Sequence, residues 1–204
     1  MTTKNVAVIH ARVGNLASVL AGIRRAGGNP ILTEDPDVVA SSEFAILPGV
    51  GSFVAGMLGL EELGLVDVVR ERICANKPTL AVCVGMQILF EGSEENPGVE
   101  GLGIIPATMK KFDASLRVPQ LGWNNIVAQN ECRYLNDGYV YFANSYRATE
   151  IPLGWKGAMC DYGGPFVAAL ERGNILACQF HPEISGNVGM QVVRRWLDVE
   201  KQPC

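Results

Sequence analysis

Residues 77–90, Lys-Pro-Thr-Leu-Ala-Val-Cys-Val-Gly-Met-Gln-Ile-Leu-Phe, constrain the fold more than any other stretch of the chain. Thr79 to Val82 is a short apolar run behind a proline and reads as a buried strand. Gly85 to Phe90 reads as the start of a helix. Between them stands Cys83, with Ala81 two residues before it and Gly85 two after. A strand that turns sharply into a helix has no room for side chains at those two places, and it lifts the central side chain to the carboxyl end of the sheet. Such a helix aims its free N–H groups and positive dipole end at the sulfur, which favours the reactive thiolate. A buried core cysteine accounts for the same residues, because free cysteine is among the most buried residue types. The choice between nucleophile and core residue rests on the remainder of the chain.

The first half alternates two kinds of pattern. Residues 6–9 are apolar and predict a first strand. Asn15 predicts a helix cap, with Leu16, Val19, Leu20 and Ile23 at i, i+3, i+4 and i+7 and Gly27-Gly28 as the stop. Residues 31–33 predict a second strand, and Asp35-Pro36-Asp37 a turn that caps a short helix. Residues 44–47 predict a third strand, followed at once by Pro48-Gly49-Val50-Gly51. Val66, Val69 and Ile73 mark a further helix before the Cys83 strand. Strands alternating with helices in this way predict a parallel, doubly wound α/β sheet. Ligands of such sheets bind at the carboxyl ends of the strands, where Cys83 and the 48–51 loop both belong.

Beyond Phe90 the pattern becomes β-rich. Residues 101–112, the run around Ile126-Val127, residues 139–142 and residues 166–170 predict strands, with Asn136-Asp137-Gly138 as a hairpin turn. This half is expected to pack on the parallel half. Residues 175–180 predict a late strand running into His181-Pro182-Glu183. A last helix carries Val188, Val192, Val193, Trp196 and Leu197 on its apolar side. No repeat, low-complexity stretch or linker divides the chain, which predicts a single domain over residues 1–204.

Several function classes are excluded by composition. A chain with 48% hydrophobic and 19% charged residues is neither disordered nor a coiled coil. A net charge of −4 gives no footprint for nucleic acid or an anionic membrane. No apolar run approaches the ~20 residues that span a bilayer. The opening Met1-Thr2-Thr3-Lys4-Asn5 leads straight into the first strand, leaving no room for a secretory h-region. The six cysteines include no C-x-x-C pair, and with only two histidines they argue against a zinc site or a disulfide scaffold. The expectation is a cytoplasmic protein with reduced thiols, no metal and no cofactor.

A catalytic cysteine needs a base, and the base needs an orienting group. His181 ends a predicted strand, with Glu183 two residues on, where it can accept from the second imidazole nitrogen. His10 also ends a predicted strand, but no adjoining residue supports a role for it. An acyl-transfer cysteine further needs donors for the developing oxyanion. The Val84 N–H is one candidate. The Pro48-Gly49-Val50-Gly51 loop offers a second, since its glycines allow backbone conformations that other residues avoid.

Cys83-Val84-Gly85-Met86-Gln87, Pro48-Gly49-Val50-Gly51, Gly122-Trp123-Asn124 and Gln179-Phe180-His181-Pro182-Glu183 together resemble the class I glutamine amidotransferases. Within that family their order and wording are similar to the glutaminase subunits of imidazole glycerol phosphate synthases, over essentially the whole chain. The resemblance implies a flavodoxin-like, doubly wound fold and a Cys83–His181–Glu183 triad that hydrolyses glutamine. It implies that Val50, Gly51, Gln87, Ser145 and Tyr146 serve the substrate, with Val84 and Val50 at the oxyanion. It implies that the 48–51 loop rearranges before Val50 can offer its N–H. It also implies a heterodimer with a (β/α)₈-barrel cyclase subunit that receives the ammonia, contacted by Asn15, Gln120, Leu121, Trp123, Asn124 and Ile184.

The departures from the family pattern cluster. His10-Ala11-Arg12-Val13-Gly14 stands where the family begins its first loop with Asp-Tyr-Gly. Gln120-Leu121 stands for His-Met, Asn144 for the histidine of His-Ser-Tyr, Ile184 for a lysine, and Ala81 for a glycine. Losing that lysine removes a possible cross-interface ion pair, which bears on partner choice. Two alternatives therefore stay open: a paralogous glutaminase that feeds a different synthase, such as one amidating a nucleotide or a sugar, and a non-catalytic binding subunit on the same fold. Arg12, Arg147 and Cys204 have no assigned role.

Overall fold

The computed structural model describes residues 3–10, 15–129 and 131–198, so Arg12, most of the altered first loop and Cys204 lie outside the described residues. The first half runs β1 (Lys4–Ile9), α1 (Leu16–Ala26), β2 (Gly28–Thr33), α2 (Pro36–Ser41), β3 (Phe44–Leu47), α3 (Phe53–Glu62), α4 (Val66–Cys74) and β4 (Thr79–Val82). Capping sets the helix starts. Asn15, Asp35 and Ser52 each accept from a backbone N–H of the first turn, and Pro36 enters α2 where its missing N–H costs nothing. Gly27 ends α1 with φ 99°, in the left-handed conformation suited to glycine. The second half contains α5 (Val84–Gln87), β5 (Phe90–Ser93), β6 (Ile105–Lys111), β7 (Gln120–Ala128), β8 (Gly138–Asn144), β9 (Tyr146–Arg147), β10 (Lys156–Asp161), β11 (Pro165–Arg172), β12 (Ile175–Cys178) and α6 (Gly186–Leu197), with a 3-10 turn, Pro182–Ile184, before α6.

A nine-stranded sheet in the order β2-β1-β3-β4-β12-β11-β10-β7-β8 runs through the molecule, and a three-stranded sheet, β5-β6-β9, lies beside it. β2, β1, β3, β4 and β12 pair in parallel, and from β11 onward the pairing is antiparallel. The doubly wound α/β class is as expected. The β-rich half, however, mostly continues the parallel sheet edge to edge through the β12–β11 pair. β3, β4 and β12 are buried at every residue, as parallel strands covered on both faces must be.

Three local expectations change. The helix after Cys83 is one turn long, because the chain enters β5 at Phe90. No tight hairpin forms at Asn136-Asp137-Gly138. β7 ends at Ala128 and β8 begins at Gly138, so the connection is long, and Asp137 instead accepts from the Ala128 N–H at 2.8 Å. β10, α3 and β5 are additional elements. β10 reads Lys-Gly-Ala-Met-Cys-Asp and lacks the β-branched and aromatic residues that signal a strand; pairing on both sides makes it one. Among the described residues no helix is long and apolar enough to cross a membrane.

Candidate active site

Cys83 leaves β4 with φ 55° and ψ −112°, a conformation that costs a non-glycine residue about 1–3 kcal/mol. Its neighbours hold it there. The Cys83 N–H donates to Cys178 O on β12 at 2.7 Å. Gly85 passes so close to β3 that a Cβ would sit 2.1 Å from Leu47 O. Ala81 is buried between Leu47 and Ala177, its register partners on β3 and β12. The elbow read from small residues is present, and its tightest requirement is at Gly85.

Opposite the sulfur, β12 delivers His181. Its backbone is fastened to β8 through a closed circuit: His181 N donates to Tyr141 O at 2.9 Å, Tyr141 N to Ser185 Oγ at 2.9 Å, and Ser185 Oγ to His181 O at 2.6 Å. The 3-10 turn folds Glu183 back so that its Oε1 lies 2.9 Å from His181 Nδ1, both side chains being buried. Burial pulls the His181 pKa down, but hydrogen bonds and charge from Cys83 and Glu183 outweigh it and push it up to about 10. That is the direction expected of an imidazole hydrogen-bonded on both sides. On the far side Glu183 packs on α1, where a Cβ at Gly22 would come 2.8 Å from Glu183 Cβ, and Arg25 Nη2 donates to Glu183 O at 2.7 Å. Among the described residues Glu183 Oε2 has no hydrogen-bond partner. The second histidine is elsewhere: His10 Nδ1 pairs with Glu34 Oε1 at 2.9 Å at the end of β1.

A cavity of about 140 Å³ is lined by Cys83, His181, Val84, Val50, Gly51, Gln87, Ser145 and Tyr146, together with Glu95, Ala143 and Asn144. Every residue assigned to catalysis or substrate from the sequence lines it except Glu183, which stands behind His181. The Val84 N–H, expected from the sequence to serve an oxyanion, is engaged, donating to Gly49 O at 3.3 Å and so covered by the 48–51 loop. Gln87 Nε2 donates to Gln179 Oε1 at 2.9 Å, and Gln179 Nε2 to Cys83 Sγ at 3.8 Å.

Two features of this site were not legible locally. Glu95 lines the cavity while accepting the Phe53 N–H at 2.7 Å, and Asn96 accepts the Val54 N–H at 3.2 Å, so a loop far along the chain completes the cap of α3. Gln179 was visible only as a letter of the His181 motif. Of the residues expected at a partner surface, Leu121 is 67% exposed, Trp123 55% and Ile184 39%, and Asn15 is exposed at the α1 cap. Gln120 needs correcting. Strand alternation turns it inward, 3% exposed, opposite Asn144 in the β7–β8 register, so it presents nothing to a partner. Asn124 shares that inward parity and donates to Asp161 O at 2.8 Å. Arg147 lies over the Phe112 ring at 4.8 Å from its centroid, a packing role.

A family model described as glutamine amidotransferase class-I matches residues 32–198. The chain belongs to the class I glutamine amidotransferase family. Its sequence relatives in this family include the imidazole glycerol phosphate synthase subunit HisH of Bacillus cereus, 39% identical over 95% of this chain and 94% of that protein. The HisH subunit of Methanothermobacter thermautotrophicus is 37% identical over 95% of this chain and 98% of its own length. The chloroplastic imidazole glycerol phosphate synthase hisHF of Arabidopsis thaliana is 38% identical over 94% of this chain, which spans 34% of that longer protein. Among solved structures, one titled a glutamine amidotransferase superposes with a TM-score of 0.76 at 20% identity, covering 94% of this chain and 96% of that one. PurLQS from Thermotoga maritima gives 0.74 at 16% identity, over 96% and 98%. At those identities the two structures speak for the fold alone.

Proposed function

We propose that the chain is the glutaminase subunit of an imidazole glycerol phosphate synthase. It hydrolyses glutamine to glutamate and ammonia and hands the ammonia to a (β/α)₈-barrel cyclase subunit in histidine biosynthesis. The observation that carries this reading is the small cavity in which Cys83, strained at its elbow, meets His181 backed by Glu183, in a chain whose near-full-length relatives are HisH subunits.

The Cys83 thiolate attacks the carboxamide carbon of glutamine, and the C=O electron pair moves onto oxygen. His181 gives its proton to the departing nitrogen, which leaves as ammonia and yields a glutamyl thioester. Water then loses a proton to the neutral imidazole and attacks the thioester, expelling the thiolate and forming glutamate. Glu183 holds the ring in orientation and balances its charge through Nδ1. Glu95, the one carboxylate lining the cavity among the described residues, balances the substrate ammonium. In the resting arrangement the Gly49 carbonyl occupies the Val84 N–H. Catalysis therefore requires the 48–51 loop to turn, which frees Val84 and brings the Val50 N–H to the oxyanion. A partner-driven turn of that loop keeps ammonia from being released before a cyclase is there to use it. Leu121, Trp123 and Ile184 form the exposed apolar part of the docking face, and Ile184 in place of lysine favours, as a second reading, a paralogue serving another synthase.

The test is glutamate release from glutamine by wild type and Cys83→Ala, alone and with the cyclase subunit of the same genome plus its nucleotide substrate. Activation that disappears in Cys83→Ala is expected. Cys83-dependent hydrolysis indifferent to the cyclase refutes the histidine assignment, and no hydrolysis in either setting refutes the glutaminase. His181→Asn is expected to abolish hydrolysis and His10→Asn to spare it.

A further inference from the structure

Gln179 is fully buried at the end of β12, with its backbone N–H given to Ala168 O at 2.9 Å. Burying a carboxamide costs free energy unless its atoms are bonded, and an apolar residue of similar volume would avoid that cost. Its side-chain bonds run to two cavity-lining residues: Nε2 to the Cys83 sulfur at 3.8 Å, and Oε1 from Gln87 Nε2 at 2.9 Å. The directions of these bonds are linked. A thiolate only accepts, so the Gln179 end facing it must be the N–H₂. The Gln179 carbonyl then faces Gln87, which must answer with its own N–H₂. The remaining atom, Gln87 Oε1, is left as an acceptor for the cavity.

We propose that Gln179 is a positioning residue of the glutaminase site: it donates to the Cys83 thiolate and, by locking the Gln87 amide, makes Gln87 present an oxygen to a donor group of the substrate. This rests on the proposed glutamine hydrolysis for the identity of the substrate, and on geometry alone for the nucleophile. Ionisation at position 83 and the amide orientation at position 87 become a single linked choice, because flipping either amide would set donor against donor or acceptor against acceptor.

Two near-isosteric variants separate the links. Gln179→Met removes both bonds. Gln179→Glu removes the donor to sulfur but keeps an oxygen for Gln87 Nε2. The reading is the pH profile of iodoacetamide alkylation at Cys83 in the full chain, followed by peptide mass, with the KM for glutamine measured in the cyclase complex. Burial holds the thiols of Cys132, Cys160 and Cys178 up, at about 11 for Cys132 and about 12 for Cys160, so they stay silent near neutrality. In Gln179→Met the alkylation midpoint is expected to rise by about one unit, a tenfold loss of thiolate at a given pH, and in Gln179→Glu by more, because a carboxylate then faces the sulfur. KM is expected to rise up to about tenfold in Gln179→Met and to stay near wild type in Gln179→Glu. A purely structural amide would lower the melting temperature of Gln179→Met without moving its midpoint, and a folded Gln179→Met chain with the wild-type midpoint overturns the proposal. A wild-type chain that alkylates as expected but never releases glutamate refutes the functional reading instead and leaves the Gln179–Cys83 link standing.

Discussion

Gly22 lies inside α1, where glycine ordinarily costs a helix about 1 kcal/mol against alanine, so Gly22→Ala should stabilise an isolated helix. In the folded chain the new Cβ would lie 2.8 Å from Glu183 Cβ and 3.2 Å from Glu183 Cα. Ordinary carbon contact is ~3.5–4.0 Å, so α1 and the 3-10 turn must separate by about 1 Å. The Arg25–Glu183 O bond of 2.7 Å ties the same two elements together one turn further on, so the strain falls on the turn that carries Glu183. Overpacking of this kind costs about 1–3 kcal/mol, which offsets the helix gain and leaves stability lower by roughly 0–2 kcal/mol. The catalytic cost is larger, since a displacement of about 1 Å in a positioned group lowers rates by up to about 100-fold. The assay is kcat/KM for glutamine in the cyclase complex beside urea denaturation of the free subunit. A Gly22→Ala chain that is more stable and as active as wild type would refute the claim that α1 seats the catalytic carboxylate.

The remaining predictions concern charge, surface and scaffold. The His181 pKa lies above its ordinary 6.5, at about 10, so its stabilising contribution is fully present below pH 6.5 and is lost as pH rises through 10. The melting temperature should therefore fall across that alkaline range, and Glu183→Gln, lacking one of the groups that hold the proton, should bring the fall to lower pH; superimposable curves would contradict this. Trp123→Ala is expected to weaken cyclase binding by about 2 kcal/mol by titration calorimetry while barely changing the melting temperature, because the ring is 55% exposed. If binding is unchanged, Trp123 is only a packing residue. Arg72 is 2% exposed and donates to the carbonyls of Val39, Ser42, Glu43 and Pro78 and to Thr79 Oγ1, so Arg72→Leu strands several buried acceptors. It should cost about 3–5 kcal/mol in urea denaturation, and a loss below about 1 kcal/mol would mean the carbonyls find water.

The elbow was readable because its requirement is local: two small residues flanking Cys83, with Gly85 forced by a contact across one sheet spacing. Helix starts at Asn15 and Asp35, the buried parallel strands and the His181–Glu183 pair are likewise written within a few residues of each other, and the histidine count left few choices for the base. β10 carries no such signal, since it is a strand only by virtue of β7 and β11 on either side. Alternation along β7 could have warned that Gln120 and Trp123 point opposite ways, but which face is inward depends on what packs beneath. The Gln87–Gln179 bond, the Glu95 cap on α3 and the Gly22 seat for Glu183 join residues 92, 42 and more than 150 positions apart. The chain order therefore determined which groups are candidates for the chemistry, through short-range sterics and spacing. Their orientation, the covered Val84 N–H and the linkage of Cys83 to Gln87 were decided only when β4, β12 and α1 came together, because hydrogen-bond direction and close contact are properties of neighbours in space.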